Sequence, residues 1–223
     1  MITVQRKGRN LHFMLETGMI AVIRAQSSEQ LKDVVYALRD GGVKAIEVTM
    51  TTPNALDVIH EVSSKMKDEE AVIGVGTVLD PETARAAILA GAEYVVSPTL
   101  NRGVIEMCRR YTAICIPGAY TPTEILTAWE AGADIVKVFP ATTLGPGYFK
   151  DILGPLPQIR MSPTGGVSLE TAKDFIKAGA CCLAVGGNLV SKKALAEKNW
   201  KSITDTAKQF IELIKEAREE KKG

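Results

Sequence analysis

The chain is poor in aromatic residues, nearly devoid of histidine, balanced in charge and free of long apolar runs. Aromatic side chains make up 5% of 223 residues, so the 46% hydrophobic content is almost wholly aliphatic. The two histidines, His12 and His60, lie in helical patterns away from any Gly-rich loop. A histidine-based zinc site and a Ser-His-Asp triad are therefore not expected. Lys and Arg total 27 against 26 Asp and Glu, a balance that argues against a nucleic-acid partner. No stretch approaches the ~20 apolar residues of a bilayer span. Glu16 and Arg24 interrupt the only candidate for a signal-peptide core after the charged start MITVQRKGRN. The expectation is a cytoplasmic chain without a membrane partner. Cys108, Cys115, Cys181 and Cys182 form no CxxC pair and read as free, buried thiols.

What is present is a weak internal repeat. GGVKAIEV (41–48), AGAEYVV (90–96), AGADIVKV (131–138) and AGACCLAV (178–185) each join the end of a helix, a glycine cap and a short apolar run. Further apolar runs lie midway between them: IAVIR, AVIGVG, YTAICIPG and IRMSPTGG. Eight strands are predicted, starting near residues 20, 44, 71, 93, 113, 134, 159 and 182, with amphipathic helices between them. Strands that are apolar throughout are buried on both faces, hence parallel. Eight such units predict a (β/α)8 TIM barrel as a single domain over 1–223. An extra N-terminal helix is expected at about 8–17, the barrel at about 19–195 and a C-terminal helix at about 200–220. A doubly wound sheet fits less well, because IRAQSS follows the first strand where a Gly-rich dinucleotide loop belongs.

Two charges interrupt this pattern. Glu47 lies between Ile46 and Val48, and Lys137 between Val136 and Val138. The helix-facing side of a barrel strand is dry, so both side chains must point into the lumen, where an unpaired ion is costly. The pattern alone leaves two readings open. One is a structural ion pair. The other is a nucleophilic amine with a carboxylate as proton shuttle, in which desolvation favours the neutral lysine that forms an imine. Arg24, Thr77, Pro98 and Pro117 fall at the C-terminal ends of predicted strands, where active sites of this fold lie. The seventh strand ends in SPTGGV and the eighth in AVGGN. Paired glycines on those two loops leave backbone N–H groups open to an anion, which points to a phosphate site.

IEVTMTTP, GVGTV, VSP, IPG, TPTE, VKVFPA, PTGGV and VGGNLV occur in order from about residue 18 to 190. With these motifs the chain resembles the 2-keto-3-deoxy-6-phosphogluconate (KDPG) aldolase family, pyruvate-forming class I aldolases that include 4-hydroxy-2-oxoglutarate aldolases. The resemblance implies that Lys137 forms the Schiff base and Glu47 acts as general acid/base. It places Arg24, Thr51, Thr77, Pro98, Phe139 and Thr164 around the substrate. Gly165, Gly166, Gly186, Gly187 and Asn188 would hold its phosphate. It also implies a homotrimer, with no metal and no cofactor. Two positions depart from the pattern of some members: Thr51 stands where they carry a carboxylate-binding arginine, and Asn188 where a serine is common. The implied substrate is a 2-keto-3-deoxy phosphosugar acid, cleaved to pyruvate and glyceraldehyde 3-phosphate. 4-Hydroxy-2-oxoglutarate and the galactonate epimer are alternatives. A barrel isomerase or epimerase and a non-catalytic sugar-phosphate-binding scaffold are the competing classes.

Overall fold

The computed structural model describes residues 2–24, 28–65 and 71–221. The strands are β1 (Met19–Ile23), β2 (Ala45–Thr49), β3 (Val72–Gly76), β4 (Tyr94–Val96), β5 (Ile114–Ile116), β6 (Gly118–Ala119), β7 (Val136–Val138), β8 (Met161–Pro163) and β9 (Leu183–Val185). The helices are α1 (Val4–Thr17), α2 (Ser28–Asp40), α3 (Ala55–Lys65), α4 (Pro81–Ala90) and α5 (Arg102–Arg110). They continue with α6 (Pro122–Glu130), α7 (Gly145–Leu153), α8 (Ala172–Lys177), α9 (Lys192–Ala196) and α10 (Trp200–Glu220).

All strand pairings are parallel. One ladder runs β5-β4-β3-β2-β1-β9 and another β6-β7-β8. A bridge between Thr164 and Ala184, with Cys181 N–H donating to the Met161 carbonyl, joins β8 to β9. On the other side the Cys115 and Pro117 carbonyls accept from Asp134 and Lys137 and join the fifth strand to β7. The two ladders therefore close into one α/β barrel. The fifth predicted strand differs from expectation in being split into β5 and β6 around Pro117. Proline has no N–H to donate and a fixed φ, so the ladder breaks there while the chain stays in the wall.

Strand parity sorts the side chains. Ile46, Val48, Ile73, Val75, Val136 and Val138 face outward into the apolar layer under the helices. Ile20, Val22, Ala45, Val72, Tyr94, Val96, Ile114 and Cys182 fill the lumen. Among the described residues the cysteines are free, with Cys108, Cys115 and Cys182 buried.

Helix α1 starts at Val4 rather than near residue 8, because the Thr3 hydroxyl caps it by accepting from Arg6 N–H at 3.1 Å. It closes the N-terminal mouth. Met14 packs among the lumenal side chains, and two charges fasten the helix to strand starts. Arg6 makes a bidentate pair with Glu93 at 2.7 and 3.0 Å, and Lys7 reaches Asp134 at 2.9 Å. Among the described residues this leaves the opposite mouth for a ligand. No described helix is long and apolar enough to cross a membrane.

Candidate active site

The central lumen holds the two charges. Glu47, on β2 between outward-facing Ile46 and Val48, is 2% exposed; Lys137, on β7, is 7% exposed. In register Glu47 lies between Val22 and Gly74, and Lys137 between Gly118 and Ser162. The neighbouring glycines make room for both side chains. A Cβ on Gly76 would stand 1.7 Å from Glu47 Oε1, so only glycine at that position lets the carboxylate lie where it does. A Cβ on Gly118 would stand 2.3 Å from the Pro98 carbonyl oxygen, which brings the end of β4 close to Lys137's neighbour.

Burial shifts both groups toward neutrality. Loss of solvent pushes the Glu47 carboxyl above its ordinary value, opposed by the positive charges of Lys137 and Arg24. Loss of solvent pulls Lys137 below its ordinary value; Glu47 opposes this and Arg24 reinforces it. The two groups sense each other across the lumen, yet among the described residues they make no direct ion-pair contact. The Lys137 ammonium position lies 4.9 Å from the Phe139 ring centroid, with Phe139 at the open mouth. An amine whose charged form is disfavoured by burial, with a buried carboxyl nearby, has the makings of imine chemistry.

Above the pair opens a cavity of about 260 Å³. Arg24, Phe139, Thr164, Gly165, Gly166, Gly186, Gly187 and Asn188 line it. Both glycine pairs singled out in the sequence thus meet in one wall. Gly165 and Gly166 have φ of +86° and +72°, and a Cβ on Gly166 would press to 2.8 Å from Thr142 Cα. This turn accepts only glycine. Gly187 faces open space. The Asn188 amide donates to the Val167 carbonyl at 2.7 Å, tying the β9 loop to the β8 loop and leaving one N–H for a ligand.

Thr51, Thr77 and Pro98 do not line this cavity. Thr51 is exposed, with its hydroxyl 2.7 Å from that of buried Thr49. Thr77 follows Gly76 with φ +61°, left-handed backbone that is strained for a β-branched residue. These three follow the ends of β2, β3 and β4, with Pro98 close to Gly118, the register partner of Lys137. Sequence reading passed over Thr142, which supports the glycine turn, and Tyr94, a phenol at the centre of the lumen; both look like ordinary loop and core residues in one dimension. Among the described residues no group of His, Cys, Asp and Glu could hold a metal ion.

The fold and site define an α/β-barrel enzyme with a desolvated lysine, a buried carboxyl and a glycine-walled cavity. The family model for KDPG and KHG aldolases matches residues 12–206, and the chain belongs to that family. It is a class I aldolase, a carbon–carbon lyase. It is 33% identical to a 2-dehydro-3-deoxy-phosphogluconate aldolase of Pseudomonas aeruginosa, over 91% of this chain and 92% of that one. It is 32% identical to a 2-dehydro-3-deoxy-6-phosphogalactonate aldolase of Escherichia coli, over 94% and 98%. Among solved structures, KDPG aldolase from Legionella pneumophila, with pyruvate captured as a covalent carbinolamine intermediate, superposes with TM-score 0.80. That pair is 26% identical, and the match covers 88% of this chain and 96% of that one.

Proposed function

We propose that the chain reversibly cleaves 2-dehydro-3-deoxy-6-phosphogluconate to pyruvate and D-glyceraldehyde 3-phosphate, with Lys137 as nucleophile and Glu47 as general acid/base. The observation that carries this reading is a lysine 7% exposed inside a closed ring of strands, disfavoured as an ammonium by its burial, opposite a carboxyl 2% exposed. The neutral Lys137 amine adds to the substrate's C2 carbonyl, giving a carbinolamine. Glu47 supplies the proton with which its hydroxyl departs as water, leaving the imine. Glu47, now ionised, takes the proton of the C4 hydroxyl; the C3–C4 bond breaks, its electron pair enters the imine, and the aldehyde departs. Glu47 returns the proton to C3 of the enamine, and water hydrolyses the resulting imine to pyruvate and free Lys137.

Arg24 and Thr77, on either side of Glu47, supply donors for the carboxylate of the keto acid, with Thr51, Pro98, Phe139 and Thr164 shaping the mouth. Gly165, Gly166, Gly186 and Gly187 offer backbone N–H groups to the phosphate, with the free N–H of Asn188 beside them. The homotrimer implied by the family belongs to the same proposal and is checked by light scattering.

Borohydride reduction in the presence of pyruvate, followed by peptide mass spectrometry, tests the chemistry. The expected result is a reduced adduct on Lys137 in the native protein and none in K137R. An unmodified Lys137 peptide overturns the reading. Comparison of kcat/KM for the phosphogluconate substrate, its galactonate epimer and 4-hydroxy-2-oxoglutarate tests the substrate; equal values with and without phosphate overturn the role of the glycine pairs.

A further inference from the structure

The loop after β8 has its carbonyl oxygens occupied one by one. The Thr164 carbonyl accepts from Ala141 N–H at 2.9 Å and the Val167 carbonyl from the Asn188 amide at 2.7 Å. Between them, the Gly166 carbonyl accepts from the Thr171 hydroxyl at 2.9 Å. Thr171 stands at the N-cap of α8, where a threonine hydroxyl ordinarily accepts from a backbone N–H of the first helical turn. It makes no such bond. Its oxygen instead accepts from Ser168 N–H at 2.9 Å, and its proton goes to Gly166, the Ser168 carbonyl being farther at 3.5 Å. A peptide unit is planar and trans, so its N–H points opposite to its C=O. With the Gly166 carbonyl turned to Thr171, which does not line the cavity, the N–H of Val167 is turned away from α8. Val167 lines the cavity, and its N–H makes no hydrogen bond among the described residues; neither do those of Gly165 and Gly166. The two glycines, at φ +86° and +72°, carry no side chain that resists rotation of this peptide unit. Turned the other way, the unit would set the negative end of its dipole where an anion belongs.

We propose that Thr171 is a positioning residue for the glycine-walled cavity, its hydroxyl holding the Gly166–Val167 peptide with the carbonyl outward and the Val167 N–H toward the substrate's phosphate. This rests on the reading of the glycine walls as a phosphate site. It adds one backbone donor, at Val167, and the side chain that orients it. Thr171 itself touches no substrate; it acts through a single hydrogen bond to the loop.

The test compares Thr171→Val, which keeps the branched shape and loses the donor, with Thr171→Ser, which keeps the donor, in the full chain labelled with ¹⁵N. The probe is inorganic phosphate, followed through the amide shifts of Gly165, Gly166 and Val167. In the native protein all three should move together and give one Kd. T171V should raise that Kd about five- to tenfold, the size of one hydrogen bond, while T171S stays close to native. With the phosphorylated substrate, KM should rise in T171V by the same factor and kcat should hold. A threonine that served stability alone would lower the melting temperature and leave the phosphate Kd where it was. Equal Kd values in folded T171V and native protein overturn the proposal, as does an equal loss in T171V and T171S. If T171V does not fold, Thr171→Ala takes its place and is read in the same way. The underlying reading fails differently: no amide of either glycine wall moves in the native protein, which removes the phosphate site and the proposal with it. Reductive trapping with pyruvate reports Lys137 separately, and its failure leaves the phosphate comparison intact.

Discussion

A single methyl group probes how tightly the carboxylate is held. Gly76→Ala would place a Cβ 1.7 Å from Glu47 Oε1, so the carboxylate must leave its present position. Lys137 is untouched by that change. We expect kcat/KM to fall by roughly a hundredfold, the cost of misplacing a proton-transfer group by about 1 Å. Lys137 should still be trapped by borohydride with pyruvate, which separates a displaced base from a lost nucleophile. The lysine's own titration gives a second residue-scale prediction. Glu47 raises the Lys137 pKa while burial lowers it. Removing the charge in E47Q leaves burial and Arg24 acting alone, so the pH at which Lys137 becomes half neutral falls further. Trapping as a function of pH in E47Q, with incubation long enough for the imine to form without the Glu47 proton, should show its midpoint displaced to lower pH. A displacement to higher pH contradicts the electrostatics described.

Helix α1 is the element that most clearly carries both packing and closure. Met14, fully buried, occupies the lumen's closed end with Ile20, Ala45, Val72 and Ile114. Met14→Ala should cost about 2–5 kcal/mol in urea unfolding, as large-to-small changes in cores do. Turnover should hold nearly steady, because the chemistry lies at the opposite mouth. The C-terminal helix holds α1 in place from outside: Arg218 of α10 donates to the Leu15 carbonyl at 2.8 Å and the Cys181 carbonyl at 3.1 Å. Helices α1 and α10 were both expected from the sequence. Their joint at Arg218 was not, because residues 15, 181 and 218 are distant in sequence and are brought together only by barrel closure. The split of the fifth strand has a similar origin. Pro117 marked a strand end in the sequence, but whether the chain left the wall or resumed as β6 depended on the neighbour at β7.

For the whole molecule, the site is a stability cost. Glu47 has a raised pKa, so the folded state binds its proton more tightly than the unfolded state, and stability falls as pH rises from the ordinary carboxyl value through the folded one. Lys137 has a lowered pKa, so the unfolded state binds its proton more tightly, and stability rises with pH from the folded lysine value up to the ordinary one. Wherever both groups are charged, both penalties apply, partly offset by attraction between the charges. Replacing both in E47Q/K137M should raise the melting temperature at pH 7 and flatten its pH dependence. A single K137M, which leaves a buried carboxylate without its cation, should gain less than the double variant. Melting curves of the three proteins from pH 5 to 9 check the order.

The sequence by itself determined the parallel barrel and the inward direction of Glu47 and Lys137. Side-chain alternation in a strand is a local property with period two, and a charge among apolar residues can face only the lumen. It also determined that the paired glycines of the last two loops are bare. Only the tertiary structure decided that those glycines share a cavity with Arg24, that Asn188 spends one donor on Val167, and that Thr51, Thr77 and Pro98 stand apart from them. It alone showed that Gly76 is an opening for a carboxylate and Gly74 a seat for a phenol. Such distances across strands follow from register, tilt and the closing of the ring, and no segment of the chain contains them until the last strand meets the first.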